Sequence, residues 1–126
     1  MSDLRRDRGA AAVEFALILP VLLLMVLGML EFSRAYNAQI SLSGAAREGA
    51  REMAIHGDAD DAIAAAIAAA PSVNPAVTAG DITITESIVN DICQVEFKID
   101  YALPLMTGLF GINLDIDGVG VMVCGA

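Results

Sequence analysis

The sequence predicts an α+β fold: a long N-terminal transmembrane helix continuing into an amphipathic helix, a short second helix, and a small three-stranded antiparallel β-sheet. Three observations lead there. The 16 residues from Phe15 to Leu30 carry no charge, and extending back to Ala10 gives 21 residues in which Glu14 alone ionises. Between residues 31 and 55, apolar or small positions (Phe32, Ala35, Tyr36, Ile40, Leu42, Ala46, Ala50, Met53, Ala54) recur by threes and fours, the period of a helix face. After Pro75 the apolar period falls to two, that of a strand.

The first element has the length of a membrane span. At ~1.5 Å per residue its 21 residues reach roughly 30 Å, the thickness of a bilayer's hydrocarbon core. Arg5, Arg6 and Arg8 precede it and Glu31 follows it, which keeps the N-terminus cytoplasmic and places the remaining chain outside. A cleaved signal peptide also opens with a basic segment and an apolar run. This run exceeds a typical signal h-region, however, and the following EFSRAYNAQISLSGAAREGAR continues as helix with no small-residue cleavage site. An unbroken helix from Ala10 to Ile55 has 46 residues and measures about 69 Å, enough to cross a membrane and project beyond it. Pro20 removes one hydrogen bond and is expected to kink it locally.

His56-Gly57-Asp58 reads as a stop and restart. Gly57 suits the left-handed position after a helix, and Asp58 suits the cap of the next one, with Asp61 three residues on. The second helix is then Ala59 to Ala70, and Pro71-Ser72-Val73-Asn74-Pro75 is a linker by composition.

The strands follow from parity. Ile82, Ile84 and Ile88 mark the first; Cys93, Val95, Phe97, Ile99 and Tyr101 alternate with polar residues in the second; Ile112 to Cys124 forms the third. With Leu103 facing Leu114, antiparallel counting sets Tyr101 against Ile116, Phe97 against Gly120, Val95 against Met122 and Cys93 against Cys124, and keeps apolar side chains on one face. In an oxidising compartment the opposed Cys93 and Cys124 can form a disulfide. Closing a loop of ~32 residues contributes on the order of 3 to 4 kcal/mol in the chain-entropy model.

Charge excludes some functions. A net charge of −9, no tryptophan and 5% aromatics leave neither phosphate-neutralising groups nor stacking platforms, so no nucleic acid is expected as partner. Six of the seven basic residues lie within the first 51 positions, so the remainder is a separate acidic body. Asp115-Ile116-Asp117-Gly118 has part of a calcium loop without its further ligands, and alternating strand polarity accounts for it. His56, the single histidine, has no second metal ligand at helical spacing. No P-loop, serine elbow, zinc-spaced cluster or histidine-based triad is present, so neither an enzyme nor a cofactor is expected.

Glu14 is the residue that composition leaves unexplained. A carboxylate in an apolar helix costs roughly 2.5 to 3.5 kcal/mol at mid-bilayer, less near the edge where this one sits, and calls for a partner. The string Gly9-Ala10-Ala11-Ala12-Val13-Glu14-Phe15 follows a short basic leader. It resembles the processing site of type IV pilins, in which a glycine precedes the scissile bond and a glutamate and an aromatic are the fifth and sixth mature residues. Numbered from Ala10, Glu14 is fifth and Phe15 sixth. The resemblance implies cleavage after Gly9 by a membrane aspartyl prepilin peptidase, and pairing of Glu14 with the new ammonium at Ala10, often of a neighbouring subunit.

Residues 8 to 55 look like a narrower family, the TadE-like minor pilins or pseudopilins of the tight-adherence (Flp pilus) system. The features are Glu14 and Phe15, Pro20, Gly28 followed by Glu31, and the AAREGAR block with Arg47 and Arg51. Taken alone, Arg47 and Arg51 are a solvated helix face; the resemblance implies instead that they contact the acidic domain or another subunit. It implies a leader at 1–9, a helix at 10–56 with its membrane span at about 10–30, and an acidic periplasmic or extracellular domain at 57–126. The expected partners are prepilin peptidase, other pilins, the Tad assembly platform and inner-membrane lipids, with Gly9 and Ala10 as processing site and Glu14 and Phe15 for assembly. The alternative is an uncleaved single-span protein presenting a periplasmic protein-binding domain.

Overall fold

The computed structural model describes residues 2–108 and 111–125, with side chains from Arg5 onward. Its elements are α1 (Ser2–His56), α2 (Ala59–Ala68), a 3-10 turn (Ala79–Asp81), β1 (Ile82–Val89), β2 (Ile92–Pro104) and β3 (Asn113–Val123). The strands form one antiparallel sheet in the order β1-β2-β3. This is the α+β architecture expected. α1 already begins at Ser2, so the described part of the 1–9 segment is helical; Met1 lies outside the described residues.

The chain divides into two compact units, residues up to Ser33 and residues from Arg34 onward. The first is the N-terminal part of α1. Its leucines and alanines are strong helix formers, and Pro20 lies inside an element that stays helical on both sides of it.

The second unit contains the rest of α1, α2 and the sheet. The stripe that α1 buries is Ala38, Leu42, Ala45, Ala46, Ala50 and Ala54, with Met53 partly buried beside it. This stripe differs from the apolar pattern read above, because Tyr36 and Ile40 stay exposed while Ala38 and Ala45 are covered. The reason is distance: the sheet approaches the helix closely, so apart from Leu42 the buried stripe is built from alanines. A Cβ placed on Gly118 would collide with the Leu42 carbonyl, and one on Gly120 with the Ala46 carbonyl. Both glycines lie on β3, so the helix rests on bare strand backbone there.

β2 supplies the large side chains. Val95, Phe97, Ile99, Tyr101 and Leu103 are all buried, at the parity expected. The register also agrees: Leu103 pairs with Leu114, Tyr101 with Ile116, Phe97 with Gly120 and Val95 with Met122. Alternate positions on β3 face the same way, yet Leu114 and Met122 remain 42% and 37% exposed and burial centres on Gly118 and Gly120. On β1, Ile82 and Ile84 pack against the core while Ile88 is exposed. β1 and β2 join through Asn90 and Asp91, both at positive φ (53° and 62°), as a two-residue hairpin turn requires.

The helix junction forms as its residues dictate. Gly57 takes φ +69° and donates its N–H to the Met53 carbonyl at 2.9 Å, and the Asp58 carboxylate accepts from the N–H groups of Asp60 and Asp61. α2 ends at Ala68, two residues before the expected Ala70. The segment after it is more than a linker, since Val73 and Val77 are buried in the core and the Ser72 hydroxyl meets that of Ser41 at 2.8 Å.

Candidate functional site

Two regions carry the residues singled out above, one in each unit. In the first, Gly9, Ala10, Glu14 and Phe15 are all exposed on α1. Ala10 and Glu14 are four apart and therefore share one stripe of the helix, with Cβ atoms about 5 to 6 Å apart. A Cβ placed on Gly9 meets nothing within 4 Å, so the packing of this chain gives no reason for a glycine there. Gly49, Gly118 and Gly120, by contrast, are each demanded by a neighbouring side chain or backbone.

From Ala11 to Leu30 every residue is exposed. The most apolar window of this helix has a mean hydropathy of 2.6. A continuous exposed apolar surface of this size is the mark of a membrane or protein contact. By length and composition the segment is able to cross a bilayer.

In the second unit, Arg47 and Arg51 are exposed on α1. Arg47 borders a shallow groove with Val119, Gly120, Val121 and Met122, and Arg51 borders a second hollow with Ala54, Ile55 and Met122, so Met122 lines both. Among the described residues neither arginine holds an ion pair. Cys93 and Cys124 are joined as a disulfide with Cα atoms 5.4 Å apart. The Cys124 N–H donates to the Cys93 carbonyl at 3.0 Å, and the Gly125 N–H to the Ala54 carbonyl at 2.9 Å, so the chain end is held to both β2 and α1.

Sequence reading missed the polar contacts that dock α1 onto the rest of this unit. The Arg34 guanidinium donates to the carbonyls of Pro104 and Asn74, and the Gln39 amide to that of Asp117. The Tyr101 hydroxyl donates to the Pro75 carbonyl. Parity placed Tyr101 inward, but the acceptors are backbone carbonyls, which no side-chain pattern reveals.

Burial pushes the Tyr101 phenol above its ordinary range; Arg34 opposes the rise and Asp81 adds to it. The folded state therefore holds this proton more tightly than the unfolded one. The resulting stability is complete below the unfolded phenol's pKa of about 10 and is lost as pH rises through the higher folded value. Hydrogen-bonded Asp100 likewise raises Lys98, whose contribution also fades in alkali. Tyr101→Phe is expected to lose about 1 kcal/mol at pH 8 and to show a smaller further loss at pH 11 than the parent chain. Urea midpoints of the full chain in detergent at the two pH values give the comparison, and an equal alkaline loss in both would refute it.

A surface cavity of about 470 Å³ is lined by Asp81, Asp100, Asp115 and Asp117 together with Tyr101 and Ile116. Among the described residues no three His, Cys, Asp or Glu side chains are placed to hold a metal ion.

No curated protein and no solved structure matches the chain. A family model does match, over residues 9–51. The family is described as TadE-like protein, and the chain carries the TadE-like segment along its first helix.

Proposed function

We propose that the chain is a minor pilin or pseudopilin, processed by a prepilin peptidase and supporting assembly of Flp/Tad-type pili in adhesion, biofilm formation and related secretion. The TadE-like match over residues 9–51 carries this reading, since it points to a structural, non-enzymatic protein associated with the Tad pilus. Residues 1–9 are the leader, 10–56 the helix with its span at about 10–30, and 57–126 the exported acidic domain. The leader stays cytoplasmic, the domain is periplasmic, and it becomes extracellular once the subunit enters a pilus.

Cleavage between Gly9 and Ala10 would expose an ammonium one helical turn from Glu14. Two opposite charges then enter the apolar layer together, which costs less than a lone carboxylate. The covering that Ala11 to Leu30 lacks in the single chain is lipid before assembly and other pilin helices afterwards.

One observation favours the uncleaved single-span reading: α1 is helical through the Gly9–Ala10 bond, and a peptide bond within a helix is shielded by its neighbouring turns. Local unwinding there is made easier by Gly9, which weakens a helix by ~1 kcal/mol relative to alanine. The deciding experiment is intact mass and N-terminal sequencing of membrane-extracted protein from cells with and without the cognate peptidase. The proposal expects a start at Ala10 only when peptidase is present, and accumulation of precursor with loss of pili for Gly9→Leu. An uncleaved N-terminus in both strains would replace it by the anchored binding domain.

A further inference from the structure

We infer that residues 34–126 carry a self-association surface, in which the β1 edge of one copy adds to the β3 edge of a second copy and Glu86 enters the groove between Arg47 and Arg51. The contact depends only on the surface of this unit and is independent of leader cleavage.

The sheet ends in two open edges, β1 and β3. Natural edges are guarded by charge, proline or a covering element. From Gly118 to Val123, β3 has no charge and no proline, and Val119, Val121 and Val123 are 43%, 53% and 46% exposed. A strand this apolar and this open is a template for another strand.

Charge identifies the occupant. Residues 34–126 contain twelve acidic side chains against Arg34, Arg47, Arg51 and Lys98. Arg34 is committed to two carbonyls and Lys98 to Asp100. Arg47 and Arg51 hold no hydrogen bond or ion pair among the described residues, and their four-residue spacing sets like charges against each other. A carboxylate between them relieves that repulsion.

The register supplies the carboxylate. Glu86 pairs with Val95, and Val95 pairs with Met122. Glu86 and Met122 are therefore the two ends of one row across the sheet, on the face turned toward α1. Met122 lines the hollows at both arginines. Both edge strands run antiparallel to β2, hence parallel to each other. A copy placed alongside in the same orientation brings its Glu86 level with Met122 and beside Arg47 and Arg51, and its exposed Ile88 against the end of β3. A two-fold β3-to-β3 pairing would instead oppose two arginine pairs. The contact is heterologous and repeats along a line of copies.

The test uses full-length chain in detergent, with two tagged versions mixed and cross-linked by a short bis-maleimide. One version carries Glu86→Cys and the other Arg51→Cys, the native disulfide remaining intact in both. A cross-link joining the two tags, at least fivefold above that between two Glu86→Cys chains, is expected. Charge reversal provides the second arm. Glu86→Arg alone and Arg47→Glu/Arg51→Glu alone should each lose wild-type self-association in sedimentation, and mixing the two should restore it, which also shows that both are folded. Association driven by the apolar helix would be insensitive to either reversal. That result, absence of the cross-tag product, or failure of the mixture to recover would overturn the inference.

Discussion

Phe97→Ala is expected to lower the stability of residues 34–126 by about 3 to 5 kcal/mol, the range for deleting a fully buried aromatic. Phe97 is the largest side chain in the core with no exposed surface. Its ring fills a slot over Gly49 on α1, where a Cβ would lie 2.5 Å from the ring's Cζ, and its backbone partner on β3 is Gly120. Across the sheet on β1 its neighbour is Ile84, which already packs against the core. Trypsin reports the loss directly, because Lys98 adjoins Phe97 on the central strand and is the last basic residue of the chain. Cleavage after Lys98 in the full chain should become rapid in Phe97→Ala under conditions that leave the parent intact. The slot also makes a coupling prediction. Gly49→Ala alone forces the ring aside at a cost of about 1 to 3 kcal/mol, and combining it with Phe97→Leu should cost less than the sum of the two single changes. Strict additivity, or a Lys98 site still protected in Phe97→Ala, would show that this slot is not the centre of the core.

The difference between what the sequence disclosed and what it concealed follows from this slot. Period-two alternation on β2 exposes its inward face completely, since five large residues from Val95 to Leu103 share one parity. The β2–β3 register follows from that parity, because a one-residue slip would turn all five outward. The helix-facing residues were less legible. Apolar periodicity found Leu42, Ala46, Ala50 and Ala54 but also pointed to Tyr36 and Ile40, which stay exposed, and passed over Ala38 and Ala45, which are buried. Alanine and glycine give no strong signal in a chain rich in both, and their role is visible only once the strand backbone lies against them. For the candidate site the situation reverses. The signal at Gly9, Ala10 and Glu14 was entirely in the sequence. The packing of the folded chain does not require a glycine there, just as it does not at Gly28 or Gly44, so the structure adds nothing to that signal. Arg34 and the Tyr101 hydroxyl stayed hidden for the opposite reason, since both reach backbone acceptors more than 25 residues away in the chain.

Removing the disulfide by Cys93→Ser/Cys124→Ser is expected to cost roughly 3 to 4 kcal/mol, the chain-entropy value for a loop of this length. The two cysteines are 31 residues apart, and the loop between them contains β2 and β3 almost entire. The effect should be concentrated in β3. That strand meets α1 through Gly118 and Gly120, so it buries little apolar side chain of its own, and Leu114 and Met122 at its two ends remain exposed. With so little burial, its attachment depends on the ladder to β2, on the Gln39 contact to the Asp117 carbonyl and on the clamped end beyond Val123. Amide exchange of β3 in the full chain should therefore accelerate first and most on reduction, with β1 following only when the sheet opens as a whole. Dithiothreitol should reproduce the change in the parent chain and have no further effect on the double serine variant. If β3 amides keep their protection after reduction, the glycine-backbone contact with α1 is strong enough to hold the strand without a covalent tie. If they lose it, a chain that folds in a reducing compartment has a loosely held β3 until it reaches an oxidising one.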